Sequence, residues 1–250
     1  VDRLSVIGLI LALATVVGGH MLEGGAIAAL YNLPALLIVV LGTIAAVMIQ
    51  TPWHQFKRSF VMLKWIVWPP QLAIDQRVET MTRWSHIARS DGFLVLENEL
   101  EAEQDPMIRE SLMLLIDGTD PEHIRQTLET RIFFKRDELG HSAKVFEAMG
   151  GYSPTLGILG AVLGLIQSMQ YLDQPEALGG GIATAFVATI YGVGFANLLY
   201  LPIHHKLRNL VFQQALYYEM VLEGVLLINQ GENPTILKRR LDAYRVNYGI

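Results

Sequence analysis

The chain contains no cysteine, which removes disulfides, thiolate metal sites and cysteine nucleophiles together. Charge is also scarce. Asp, Glu, Lys and Arg make up 17% of the residues, against about a quarter in an ordinary soluble domain. The small excess is acidic, a net −5, so no basic field is available for nucleic acid and none is expected as a partner. Strand-like alternation, low-complexity tracts and internal repeats are missing. No cleavable leader stands out either. The apolar run at Leu4–Leu22 is longer than a signal core and lacks a small-residue cleavage site, so it is expected to stay as an anchor.

What the sequence does have is apolar length. Hydrophobic residues account for 52% and mean hydropathy is +0.34. Charge-free runs lie at Leu4–Leu22, Leu33–Ile49, Pro154–Leu172 and Ile182–Ile203. Each approaches the ~20 residues that a helix needs to cross a bilayer, and only helices satisfy their own backbone in lipid without closing a barrel. The fold class expected is an all-α membrane protein with four transmembrane helices, a large helical cytoplasmic loop and a helical C-terminal tail. The divisions read as a hairpin at 1–50, a loop domain at 51–150, a second hairpin at 151–203 and a tail at 204–250.

Orientation follows from Lys and Arg. They crowd the segment between spans two and three and the tail, whereas loops 23–32 and 173–181 contain neither. The positive-inside rule puts both termini and the large loop in the cytoplasm, in a multi-pass protein of a cytoplasmic (inner) membrane. Inside the loop, Asp105-Pro106 and Asp120-Pro121 each set a capping acid before a proline suited to the first helical position. Gly231 ends the span-four extension, and Asn233-Pro234 opens a last helix.

The spans also lack charge. Their only ionisable group is His20, although ion pumps and transporters place titratable residues at membrane depth. If this protein moves ions, the carboxylate must come from another chain. Thr189 is then the best polar residue available, though its simplest role is to bond back to its own helix, and spacing alone favours that role. Small residues form a stripe on span three (Gly157, Ala161, Gly164, Ser168) and another on span four (Ala185, Thr189, Gly192, Ala196). Such stripes let backbones approach closely in lipid. They either pack the two spans together or line a surface for a helix from another chain. Spans one and two, richer in bulky aliphatics, suit the lipid-facing periphery. Ser153-Pro154 reads as a capped helix start, and Pro202 as a kink where span four continues.

The motifs "SPTLGILGAVLGLI", "VATIYGVGFANLLYLPI" and "QGENPTILKRRLDAY", with "ARSDGFLVLENE" in the loop, occur in an order that resembles the MotA/PomA family of flagellar motor stator subunits. The likeness covers essentially the whole chain. It implies a homo-oligomeric ring, a pentamer in the family, around a single-span MotB/PomB-type partner whose membrane Asp carries the ion. It also implies that the loop pushes the rotor protein FliG. By resemblance, Thr189 and Ala161 lie on the ion path, and Gly157, Gly164, Ala185, Gly192 and Ala196 pack the partner. Pro154 and Pro202 match prolines tied to torque, and Arg89 and Glu97 match a charged pair that engages the rotor. Thr235 departs from the basic residue common in relatives. Sodium-driven relatives carry a hydroxyl where Ala161 stands, so the expected ion is H⁺, with Na⁺ the alternative, and no cofactor is expected.

Other readings fit less well. ExbB/TolQ-type energisers usually have three spans, and the leading hairpin argues against them. A secondary transporter would show inverted repeats and membrane charge. An enzyme reading fails because "GILGAVLG" follows no strand and opens a membrane helix, so it is no nucleotide loop. His204-His205 reads as a solvated pair at the interface rather than a metal site.

Overall fold

The computed structural model describes residues 2–247. Every regular element among them is helical. Four helices are long and apolar enough to cross a membrane: Arg3–Leu22, Leu33–Gln50, part of Pro121–Met169 and part of Leu178–Asn229. The expected four spans are therefore present, and residues 248–250 of the expected tail lie outside the described residues. The chain divides into two compact units, Val1–Pro69 with Gly140–Arg208 and Pro70–Leu139 with Asn209–Ile250. Residues 51–69 and 140–150, assigned from sequence to the loop domain, thus cluster with the spans.

In the first unit, local chemistry starts both spans of the leading hairpin. The Asp2 carboxylate accepts from the Leu4 and Ser5 amides and caps span one. Asn32 accepts from the Ala35 amide and caps span two, with Pro34 in the first turn. The same Asn32 clasps span four. Its Nδ2 donates to Thr184 Oγ1 at 2.9 Å, its backbone amide donates to Tyr191 Oη, and Tyr191 Oη–H donates to the Leu30 carbonyl. Beneath that clasp, Ala35 and Val39 of span two pack on Val187 and Ala188, flanked by Tyr191 and Phe195. Span one contributes no buried residue, as expected of a peripheral helix. After span two, the helix Trp53–Met62 buries Ser59 and Met62 and sets Phe60 edge-on to Phe146.

The second unit folds around a separate apolar core. Val78, Met81 and Trp84 pack with Leu96, Ile108, Leu112, Ile124 and Leu128, and with Val221, Val225, Leu237 and Leu241 from the tail. The expected caps form. Asp105 accepts from the Met107 and Ile108 amides, Asp120 accepts from Glu122, and Asn233 accepts from Thr235. Gly231, at φ +68°, ends the preceding helix, and the Glu232 amide reaches back to the Leu227 carbonyl. Glycine takes that left-handed conformation without steric cost.

A half-buried polar chain ties this core together. Arg77 donates to Glu103 at 2.6 Å and to Tyr217 Oη at 3.0 Å. Tyr218 donates to Asp105 at 2.8 Å, and Lys135 donates to Tyr218 Oη at 2.9 Å. Burial alone would lower the Arg77 pKa, yet Glu103 and Tyr217 hold it above its ordinary value. Removing one member leaves the other charge stranded, which costs about 3–5 kcal/mol for a buried pair. Arg77→Met is therefore expected to lower the thermal midpoint of the detergent-purified protein by several degrees. Arg77→Met with Glu103→Gln should recover part of that loss. Equal midpoints for all three proteins would contradict the assignment.

Candidate functional site

Spans three and four meet through glycine. A Cβ added at Gly157 would stand 2.9 Å from the Ala188 carbonyl oxygen. At Gly164 it would stand 2.7 Å from the Gly181 oxygen and 2.8 Å from the Ala185 nitrogen, and at Gly192 it would stand 2.7 Å from the Ser153 oxygen. Real Cβ atoms do not approach so closely, so the two backbones lie in direct contact. Gly157, Gly164, Ala185, Gly192 and Ala196 are all buried within this one chain. Within the chain, Gly157, Gly164, Ala185 and Gly192 of the two stripes therefore meet the facing span rather than standing open to a partner helix, whereas Ala161 and Thr189 of the same stripes do not. Periodicity identifies a small-residue face but not which helix fills it.

The exposed flank of the same hairpin is then the surface left for another helix. Gly160 of span three lies toward Ile38 of span two, and Leu156 lies against Gly42. Ala161 falls on the other side of the contact face, half-buried, with Ile158 and Leu165 exposed at helical spacing beside it. On span four, Val187, Tyr191 and Phe195 pack toward span two. At 100° per residue, Thr189 lies on the opposite side, with exposed Ile182, Phe186 and Val193 above and below it. Thr189 and Ala161, paired from sequence, therefore share one flank, turned away from span two.

Thr189 is exposed on that flank. Its Oγ1–H donates to the Ala185 carbonyl at 3.1 Å, the back-bond that spacing alone favoured. Donating the hydroxyl hydrogen inward leaves the oxygen lone pairs outward as acceptors. The flank is otherwise apolar, so this oxygen is its one side-chain acceptor between Ile182 and Val193.

The prolines and histidines sit differently from expectation. Pro154 does not begin a helix; it lies inside the continuous helix Pro121–Met169. The residues just before it, Gly150-Gly151-Tyr152-Ser153, are weak helix formers, so packing rather than propensity carries the helix through: Gly150 lies against Leu201 and Ser153 is buried, and the proline removes one bond without ending the helix. Pro202 follows a π-helical turn, Ala196–Tyr200, and the α-helix resumes at Leu201. The wide turn is where the ladder accommodates the N–H that proline lacks. His204 is buried rather than solvated, with Nδ1 3.0 Å from the Ala143 carbonyl and Nε2 3.8 Å from Glu147. Only His205 of the pair is exposed.

In the second unit, Arg89 closes the helix Ile74–Asp91 and Glu97 opens the helix Glu97–Ala102. Gly92, at φ +84°, makes the turn between them. Both side chains are exposed, and Arg89 spends one N–H on the Gly231 carbonyl at 3.0 Å. Between them Leu94 and Val95 are 72% and 40% exposed, while Leu96 is fully buried and anchors the tip. That apolar pair was missed in the sequence, although "GFLVLE" displays it. Asn32 and Tyr191 were missed as well; Asn32, two residues before a proline, was a legible capping signal.

Comparison with known proteins gives a consistent result. The MotA/TolQ/ExbB proton channel family model matches residues 99–220, and the motility protein A N-terminal model matches residues 6–90. The chain is similar to motility protein A of Bacillus subtilis (strain 168), 34% identical over 244 residues that cover 97% of this chain and 90% of that protein. Its fold is similar to a chain of the C. jejuni MotAB structure, with TM-score 0.93, 28% identity and coverage of 98% and 96%. It is also similar to a chain of the flagellar MotAB stator complex from Bacillus subtilis, with TM-score 0.88, 33% identity and coverage of 97% and 96%.

Proposed function

We propose that this chain, which belongs to the motility protein A family of bacterial flagellar motor stator subunits, forms one wall of a proton path whose carboxylate is supplied by a single-span partner of the MotB type. The observation that carries the reading is the flank of spans three and four. It has one outward acceptor, Thr189, with Ala161 beside it and no ionisable group. A carboxylate brought by another helix would supply the missing charge, and its protonated form would donate to Thr189. The similar structures are MotAB complexes, which supports such a partner. The N-terminal motility model at residues 6–90 covers the leading hairpin and supports the motor branch over the ExbB/TolQ one.

The coupling ion in this reading is H⁺. Na⁺ needs several hard oxygen ligands, whereas a proton rides on one carboxylate. Ala161 and Ala188 offer no side-chain oxygen, so Thr189 and backbone carbonyls form a thin shell for a metal ion. Several copies arranged as a ring, five by family resemblance, would enclose the partner helices and bury the exposed flanks. The protein would sit in the inner membrane with both termini cytoplasmic, where Lys and Arg gather. Pro154 and Pro202 stand at the cytoplasmic ends of spans three and four and are proposed to transmit movement there.

The rotor contact falls to the tip at Arg89 and Glu97, with Leu94 and Val95 between them, acting on a FliG-type protein. Exposed pairs contribute only about 0–1 kcal/mol each, so single neutralisations are expected to reduce swimming modestly. Arg89→Glu with Glu97→Lys should cut swimming severely while the complex still copurifies with its partner. Complementary reversals on the rotor protein should restore it, and failure of every such reversal would contradict an electrostatic contact.

A further inference from the structure

A cavity of about 720 Å³ opens in the first unit between span one, the helix Trp53–Met62 and the lower part of span four. Span one lines it with Ser5, Gly8, Leu9 and Ala12, one face at spacings of three and four. The other walls are almost wholly apolar, among them Phe60, Leu63 and Met149. Neither Thr189 and Ala161 nor the rotor tip lines this space. Its polar features are confined to two levels. Asn197 reaches it at depth, with Nδ2 back-bonded to the Val193 carbonyl at 3.0 Å. Lys206 lines the other end.

That end is basic and lies at the edge of the apolar spans. Lys206 is paired with Asp2, whose carboxyl the lysine holds down at about 2, so this pair stays ionised and neutralises itself. The Asp2 amide also donates to the Val67 carbonyl at 2.9 Å, which fixes span one at the mouth. Arg3, next to Asp2, and Lys64, next to Leu63, are exposed and form no ion pair among the described residues. Trp68, 63% exposed, follows Val67, and indoles collect at the headgroup level of a bilayer.

We propose that this cavity is a binding site for an anionic phospholipid, with one acyl chain between span one and span four and the phosphate at Arg3 and Lys64. Basic pockets between transmembrane helices on the cytoplasmic side suit acidic headgroups, and the apolar lining of Leu9, Phe60, Leu63 and Met149 matches an acyl chain. Charge complementarity selects this occupant over an apolar helix from a second copy, which would leave both cations unmatched. The lipid would fill the space behind span one, which buries no residue of its own.

The stator complex, copurified with its partner, is reconstituted in vesicles of phosphatidylethanolamine and phosphatidylglycerol. A diazirine is carried on the acyl chain of one lipid or the other. After photolysis, phosphatidylglycerol adducts are expected on peptides containing Gly8–Ala12 and Asn197–Lys206. They should exceed those from the phosphatidylethanolamine probe. Gly8 has open space at its Cβ position, so Gly8→Phe should fill the cavity without a clash and remove most of these adducts, while labelling near Ile49 persists. Arg3→Gln and Lys64→Gln should each lower the phosphatidylglycerol preference roughly fivefold. Equal labelling by both probes, or adducts unchanged in Gly8→Phe and in the charge variants, would overturn the proposal. So would efficient crosslinking between copies through Gly8→Cys in a chain otherwise free of cysteine.

Discussion

Gly192→Ala is expected to abolish swimming and to remove the protein from the assembled complex, although it adds a single methyl group. That methyl would stand 2.7 Å from the Ser153 carbonyl oxygen and 2.9 Å from the Gly157 Cα. Both obstacles are backbone, so relief requires spans three and four to separate along their contact. Overpacking a well-fitted interface costs about 1–3 kcal/mol even where side chains can move, and here they cannot. Gly164→Ala meets the Gly181 oxygen and the Ala185 nitrogen and should fail in the same way. Gly194→Ala and Gly179→Ala provide the control. Neither added methyl would meet anything within 4 Å, and both should copurify and swim as the parent does. Loss in all four variants, or in none, would contradict direct backbone contact between the spans.

Thr189→Val should leave assembly intact and cut torque at least tenfold. Valine keeps the shape of threonine, and the lost back-bond to Ala185 costs the helix little. What disappears is the outward oxygen on the flank. A hydrogen bond to a charged or proton-carrying group contributes about 1.5–3 kcal/mol, and about 1.4 kcal/mol is a tenfold change in rate. Thr189→Ser retains the oxygen and should recover most of the speed. A Thr189→Val protein that swims normally would remove this residue from the path.

The readable parts of the fold were those set by local chemistry. Span lengths follow from uninterrupted apolar runs, and Asp105, Asp120 and Asn233 announce their helices because a cap acts within three residues. Thr189 was legible as a hydroxyl in a run with no charge. Three-dimensional pairing was less legible. The small stripes identified two faces correctly, but spacing does not say whether a face meets its neighbour or another chain. Arg77 and Tyr217 lie 140 positions apart, and no local pattern joins them. His204 looks solvated beside His205 because both are polar; its burial depends on the Ala143 carbonyl, a tertiary contact. The π turns at Leu37–Leu41 and Ala196–Tyr200 have no residue signature of their own; each widens the helix by one residue and offsets the face beyond it, which a single 3.6-residue period read along the span does not reveal.

Motor speed separates the proposed proton path along spans three and four from a sodium site. In cells whose only stator is this chain with its single-span partner, rotation of a tethered or bead-labelled flagellum is followed while Na⁺ is varied at fixed proton-motive force. A protonophore is then added at constant Na⁺. Speed unaffected by Na⁺ and lost with the protonophore is the predicted result. Speed that rises and falls with Na⁺ and survives the protonophore would contradict it.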